Sequence, residues 1–178
     1  LLAMQGRVDE LVTVVARRAE LSEDAGVRLV LLHRVAALYE ETLRDRAKAI
    51  EAYKAVLSVD DTDMAALDAL ERLYRSAVEG VGYSAGAADA RELALVLERK
   101  IELTTDLQVR QELRHAAAAV YEYQLDDIHQ AIGQLTAILD DDQGEQRALA
   151  ELDRIYQKQK LWPELLDIVD RRALLAVN

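Results

Sequence analysis

Displaced by 82 residues, this chain meets itself again. LHRVAALYEETLRDRAKAI (32–50) falls on RHAAAAVYEYQLDDIHQAI (114–132). From Leu11/Leu93 to Tyr74/Tyr156 the match runs without a gap, with 26 identities in 64 positions. Unrelated Ala/Leu-rich helical sequence would share roughly a tenth. The recurring residues include Arg17/Arg99, His33/His115, Ala36/Ala118, Tyr39/Tyr121, Glu40/Glu122, Ala49/Ala131, Leu70/Leu152 and Arg72/Arg154. A third copy begins near the C-terminus, where ELVTVVARRAEL (10–21) and ELALVLERKIEL (92–103) are answered by ELLDIVDRRALL (164–175). Its step is 72, and the ten-residue difference is an insertion near GVGYSAGAAD (80–89). A chain built this way folds as an array of like units, none of which buries its apolar faces without a neighbour.

Each long unit is itself double. Tyr39, Tyr74, Tyr121 and Tyr156 are separated by 35, 47 and 35 residues, and the middle step becomes 37 once the insertion is removed. A step of about 35 residues suits a pair of helices with their turns. Composition agrees. The chain is rich in Ala, Leu, Glu and Arg, has one Pro, and nowhere sustains a period-two alternation, so helices are favoured and no strand is expected. Periodicity and breakers predict helices at 7–21, 27–44, 46–58, 63–78, 89–104, 109–125, 128–139, 145–159 and 162–175. Asp24, Asp45, Asp106 and Asp127 stand where a carboxylate caps free N–H groups, and Pro163 fits a first turn. Short connections predict antiparallel neighbours.

At these residues the sequence resembles the tetratricopeptide repeat (TPR) family. That motif pairs a helix A of the form large–x2–Leu–small–x2–Tyr with a helix B of the form Ala–x3–aromatic, closed by Asp-Pro. Here helix A reads Leu32, Val35, Ala36, Tyr39, and helix B reads Ala49, Tyr53, Val56. Later A helices give Leu67, Leu70, Glu71, Tyr74, then Arg114, Ala117, Ala118, Tyr121, then Leu149, Leu152, Asp153, Tyr156. Glu71 and Asp153 replace the small residue, Asp60-Asp61 replaces Asp-Pro, and Trp162 lies in a B-type helix, so the repeats are degenerate. The resemblance covers nearly the whole chain. It implies an all-α fold of antiparallel hairpins stacked as a right-handed α-solenoid, with residues 1–178 forming one domain of about four hairpins plus a leading half. It also implies protein binding rather than one specific function. The opening Leu1-Leu2-Ala3, without Met, suggests a piece excised from a longer protein.

By the family's geometry His33 and His115 face the concave groove, together with Glu40, Glu122 and Tyr123. The neighbouring A helices add Arg72, Arg75 and Arg154. Acid and base then alternate in rows, Glu40 with Arg72 and Glu122 with Arg154. One reading is a groove for a partner peptide. The other is a ladder of salt bridges between stacked helices, which adds little specificity. Tyr83 sits at the tip of the inserted loop, and loops of this kind carry contacts. The Lys/Asn set with which some TPR domains clamp a carboxyl terminus is absent, which argues against a chaperone partner.

Other constellations fail on inspection. His129 lies within VYEYQLDDIHQAI (120–132), close to Glu122, Asp126 and Asp127, but lacks a second ligand at metal spacing and reads as a surface residue. DDDQGE (140–145) places Gly144 and Glu145 at positions 5 and 6 of a calcium loop, which breaks that pattern. GVGYSAG (80–86) follows no strand and lacks Gly-Lys-Ser/Thr. With no Cys, thiolate catalysis, disulfides and Cys-bound zinc are excluded, and no Ser–His nucleophile motif occurs. No metal or cofactor is expected, and no enzyme activity. The net charge of −11 repels phosphate backbones and disfavours nucleic acid. No apolar run approaches the ~20 residues of a membrane span. The compartment is not fixed, with the cytoplasm favoured.

The sequence therefore predicts a protein–protein interaction scaffold with a protein or peptide partner. A structural spacer or oligomerisation segment, pairing through end helices 7–21 and 162–175, is one alternative. A ligand-sensing regulatory arm of a multidomain protein is another.

Overall fold

A computed structural model describes residues 2–80 and 86–177, and the side chains of 7–78 and 86–175. Among these residues there are nine α-helices and no strand: α1 (Leu2–Glu20), α2 (Ala25–Ala37), α3 (Arg46–Val59), α4 (Met64–Gly80), α5 (Ala87–Leu103), α6 (Leu107–Tyr123), α7 (Ile128–Asp141), α8 (Gln146–Gln159) and α9 (Trp162–Val177). The chain divides into two compact units, Leu1–Ser76 and Ala77–Asn178.

Side chains close the helix starts as the sequence predicts. Asp24 accepts from the Val27 N–H, Asp45 from Lys48, Asp106 from Val109 and Asp127 from Gln130. Each bond satisfies one of the amides that a helix leaves unpaired at its start. Asp63 does the same for α4 through the Ala66 N–H, and Glu145 for α8 through Arg147 and Ala148. Pro163 lies in the first turn of α9, where its missing N–H costs no bond.

Most ends fall within two residues of the expected spans, α1 starts at Leu2 rather than 7, and one end differs in kind. The predicted helix 27–44 stops being α-helical at Ala37 and continues as a π-helical turn, Leu38–Leu43. Arg44 then takes a left-handed conformation with φ 55°, and the Asp45 N–H returns to the Tyr39 carbonyl at 2.9 Å. The second copy ends alike. Asp126 has φ 53°, and the Asp127 N–H reaches the Tyr121 carbonyl at 2.8 Å. Arg44 and Asp126 are unlike in chemistry, yet 82 residues apart they hold the same backbone state.

In the first unit α2 packs on α1 and on α3. Its core takes Val12, Val15, Ala36, Ala49, Val56, Ala66, Leu67 and Leu70, all buried. In the second unit α6 packs on α5 and α7, α7 on α8, and α8 on α9. There Ala118, Leu135, Ile138, Leu149, Leu152, Ile155 and Ile168 form one cluster. Ala36/Ala118, Ala49/Ala131 and Ala66/Ala148 are buried in both units, and so small a side chain allows neighbouring helices to approach closely.

A left-handed residue other than Gly carries a backbone cost of about 1 kcal/mol. Arg44→Gly is therefore expected to raise unfolding free energy by up to about 1 kcal/mol in urea titration, and Arg44→Val to lower it.

Candidate binding face

The recurrent charged residues lie on α2 with its π-turn and on α4 in the first unit, and on α6 and α8 in the second. Glu40 and Arg72 pair across helices at 2.6 Å, and Glu122 and Arg154 at 2.5 Å. The ladder expected from the repeat therefore exists within each unit.

Its two rungs are wired differently. Glu40 takes both Nε and Nη2 of Arg72 on Oε1, and the Tyr53 hydroxyl on Oε2 at 2.9 Å. Burial first, then the bond to Glu40, pushes the Tyr53 phenol up to about 12, so it stays a donor. Position 135, the counterpart of Tyr53, is a buried Leu. Without that hydroxyl, Glu122 gives one oxygen to each terminal nitrogen of Arg154, Oε1 to Nη1 at 2.7 Å and Oε2 to Nη2 at 2.5 Å. Glu122 is buried, and the Arg154 bonds hold its carboxyl below the ordinary 4.5, against the opposing effect of burial. The guanidinium of Arg154 also lies 5.7 Å from the ring of Tyr123, which is 51% exposed. Such a cation–π contact fixes the plane of both groups.

The histidines are tied to helix caps. His33 Nε2 lies 2.7 Å from Asp63 Oδ2, the carboxylate that caps α4. Burial raises the Asp63 pKa, but the bonds from His33 and the Ala66 N–H, with the His33 charge, outweigh it and hold the group below its usual range. His115 repeats the contact with Glu145, the cap of α8, at 3.4 Å, and adds Glu151 at 3.3 Å. The groove-facing position expected for His115 does not leave it open. It is 2% exposed, enclosed by these two carboxylates, while Arg147 binds Glu151 at 2.9 Å. In the first unit Ala65 and Ala69 replace Arg147 and Glu151, so less covers the ring and His33 remains partly exposed.

Arg75 pairs within its own helix, with Glu71 at 2.6 Å, and does not join the cross-helix row. Asp153, the counterpart of Glu71, bonds Arg172 of α9 and the Gln157 amide. The acidic residues that depart from the TPR pattern thus serve as ion-pair anchors. His129 is exposed at the start of α7. Among the described residues no three His, Asp or Glu side chains are placed to share a metal, and no helix is long and apolar enough to cross a membrane. Tyr83 and its loop lie outside the described residues.

The sequence marks Tyr53 as the helix B aromatic and Glu145 as part of DDDQGE, but not the contacts that these two, Asp63 and Glu151 make. The 82-residue offset points to Asp63 and Glu145, since it carries His33–Asp63 onto His115–Glu145. Nothing comparable marks the partners of Tyr53 and Glu151, residues that occur in one copy only.

The two rungs should respond unequally to truncation. Arg154→Ala strands a buried carboxylate and is expected to cost about 2 kcal/mol, below the ~3–5 of a fully buried pair because water screens a guanidinium that is 44% exposed. Arg72→Ala should cost under ~1 kcal/mol, since Arg72 is 60% exposed and Tyr53 still serves Glu40. The contribution of Glu122 is full above pH 4.5, its unfolded value, and is lost as pH falls through the lower folded value. Unfolding titrations across that range should show the loss in the parent chain and not in Glu122→Gln.

No protein-family model matches the chain, and no curated protein matches it. Among solved structures it is similar to one described as "Crystal structure of MamA", with a TM-score of 0.50 and 17% sequence identity over 99% of this chain and 95% of that one. That neighbour is a helical TPR-like fold. At this identity the likeness speaks of the fold alone, and with the helical hairpins described above the fold is all-α and TPR-like.

Proposed function

We propose that the chain is a protein–protein interaction scaffold that takes a partner segment on the face shared by α2 and α4, and on its repeat on α6 and α8. One observation carries this reading. Each unit sets an arginine on that face at the same place in the repeat, anchored by a carboxylate and still about half exposed or more. A guanidinium has five N–H donors, and a carboxylate engages two or three of them. The remainder serve the carbonyl or carboxylate oxygens of an extended peptide. Because the anchor has already fixed the rotamer, little side-chain entropy is lost on binding. Arg and Tyr are also the residue types that concentrate binding energy at interfaces, and Tyr123 stands beside Arg154. His115 and Glu122 belong to the support beneath this face rather than to its surface. On this proposal residues 1–178 form one repeat domain whose two units use the same device.

The structural-spacer alternative draws on the same pairs, because charges consumed internally bind nothing. Capture from the cells that make the protein, quantified by mass spectrometry, separates the two. Arg72→Ala combined with Tyr123→Ala keeps Glu122–Arg154 intact. It is expected to lower capture of specific proteins by tenfold or more, while Glu51→Ala with Gln130→Ala, on α3 and α7, changes nothing. If both double variants retain the same proteins as the parent, this face is not the binding site and the spacer reading stands.

A further inference from the structure

The repeat supplies an internal control for α9. Positions 8, 12, 15 and 19 of α1 correspond to 90, 94, 97 and 101 of α5, and to 162, 166, 169 and 173 of α9. Spacings of four, three and four place each set on one helical face. All twelve residues are apolar: Val, Val, Val, Ala, then Ala, Ala, Leu, Ile, then Trp, Leu, Val, Ala. In α1, Val12, Val15 and Ala19 are buried, and α2 packs on that helix. In α5, Ala90, Ala94, Leu97 and Ile101 are buried, and α6 packs on it. In α9 the set is open: Trp162 is 60% exposed, Leu166 61% and Val169 46%. The adjoining side of α9 is not open, since Leu165 and Ile168 join the cluster with Leu152 and Tyr156. A cleft lined by Gln146, Val169, Arg172, Ala173 and Leu175 runs beside the exposed set.

From this we infer that Trp162, Leu166, Val169 and Ala173 form a docking seat for an amphipathic helix of the α2/α6 kind, supplied by a partner protein. The occupant is specified by the interfaces already present twice in the chain: a helix with small and branched apolar residues along one stripe. A polar contact adds register. Tyr121 of α6 donates to Glu98 of α5 at 2.7 Å, and the residue 72 positions beyond Glu98 is the exposed Asp170. A tyrosine in the partner helix, at the place Tyr121 holds, donates to Asp170. This seat is separate from the arginine face, and either can fail without the other.

A labelled, end-capped peptide of residues 107–123 is the probe, because it is the helix that packs on α5. Titrated against the 178-residue chain, it should give saturable anisotropy with a dissociation constant in the tens of micromolar, weak because an isolated 17-residue helix is marginal in water. Leu166→Asp with Val169→Asp, both at exposed positions, should weaken binding at least tenfold with circular dichroism unchanged. Tyr121→Phe in the peptide should weaken it several-fold against the parent chain and not against Asp170→Ala. A peptide of residues 128–141 should not bind. Absence of saturable binding, or binding unaffected by the double Asp variant, overturns the inference. So does self-association of the chain by light scattering that the double Asp variant abolishes, since a second copy would then be the occupant.

Discussion

The arrangement depends on alanines buried at matching places in the two units. Ala36, Ala49 and Ala66 in the first unit, and Ala118, Ala131 and Ala148 in the second, are all buried. A larger side chain at any of them would push apart two helices whose Leu and Tyr neighbours are cut to fill the narrow gap, and overpacking of that kind costs ~1–3 kcal/mol. The cross-helix ion pairs presuppose the same spacing. Glu122 reaches Arg154 at 2.5 Å because α6 and α8 are held at a fixed distance, and His33 reaches Asp63 because α2 and the start of α4 are. Small residues set the geometry, and the polar residues then record it.

The polar contacts share one economy. A carboxylate that caps a helix also receives a histidine from the preceding A helix, first Asp63 with His33 and then Glu145 with His115. One side chain thereby fixes both the start of a helix and its position against its neighbour. The cap bonds satisfy amides that would otherwise lack partners. The ring contact adds a tie between residues 30 apart in the chain, which a cap alone cannot supply.

Local features of this fold were legible in the sequence and pairwise ones only where they recur. Helix ends at Asp24, Asp45, Asp106 and Asp127 were readable because capping needs only residues within one turn. The Glu40–Arg72 and Glu122–Arg154 rows were readable because both copies carry them. The π-turn at Leu38–Leu43 was not, since Leu, Tyr and Glu suit an α-helix, and the second copy reaches the same left-handed state at Asp126 from an α-helix. Nor was the burial of His115. The family register places it beside an open groove, but Arg147 and Glu151, where the first copy has Ala65 and Ala69, build a cover over it. Identity between copies finds what the copies share, and these two substitutions act through their difference.

That difference shows how a repeat diverges without losing its scaffold. Tyr53 and Leu135 stand at one position, and the exchange removes a hydroxyl that satisfies Glu40. A buried carboxylate oxygen left without a donor costs ~1–3 kcal/mol or more. In the second copy that cost is avoided by rotating the guanidinium: Arg154 spreads its two terminal nitrogens over both oxygens of Glu122, where Arg72 brings its Nε edge to a single oxygen of Glu40. The change has a consequence at the surface. Arg154, drawn fully onto its carboxylate, is less exposed than Arg72 and lies against Tyr123, whereas Arg72 is held by one oxygen and extends further into water. The exchange of Tyr for Leu at one position thus goes with a different presentation of the arginine beside it. Two copies of one motif that share Glu and Arg consequently present different donor edges and different ring neighbours.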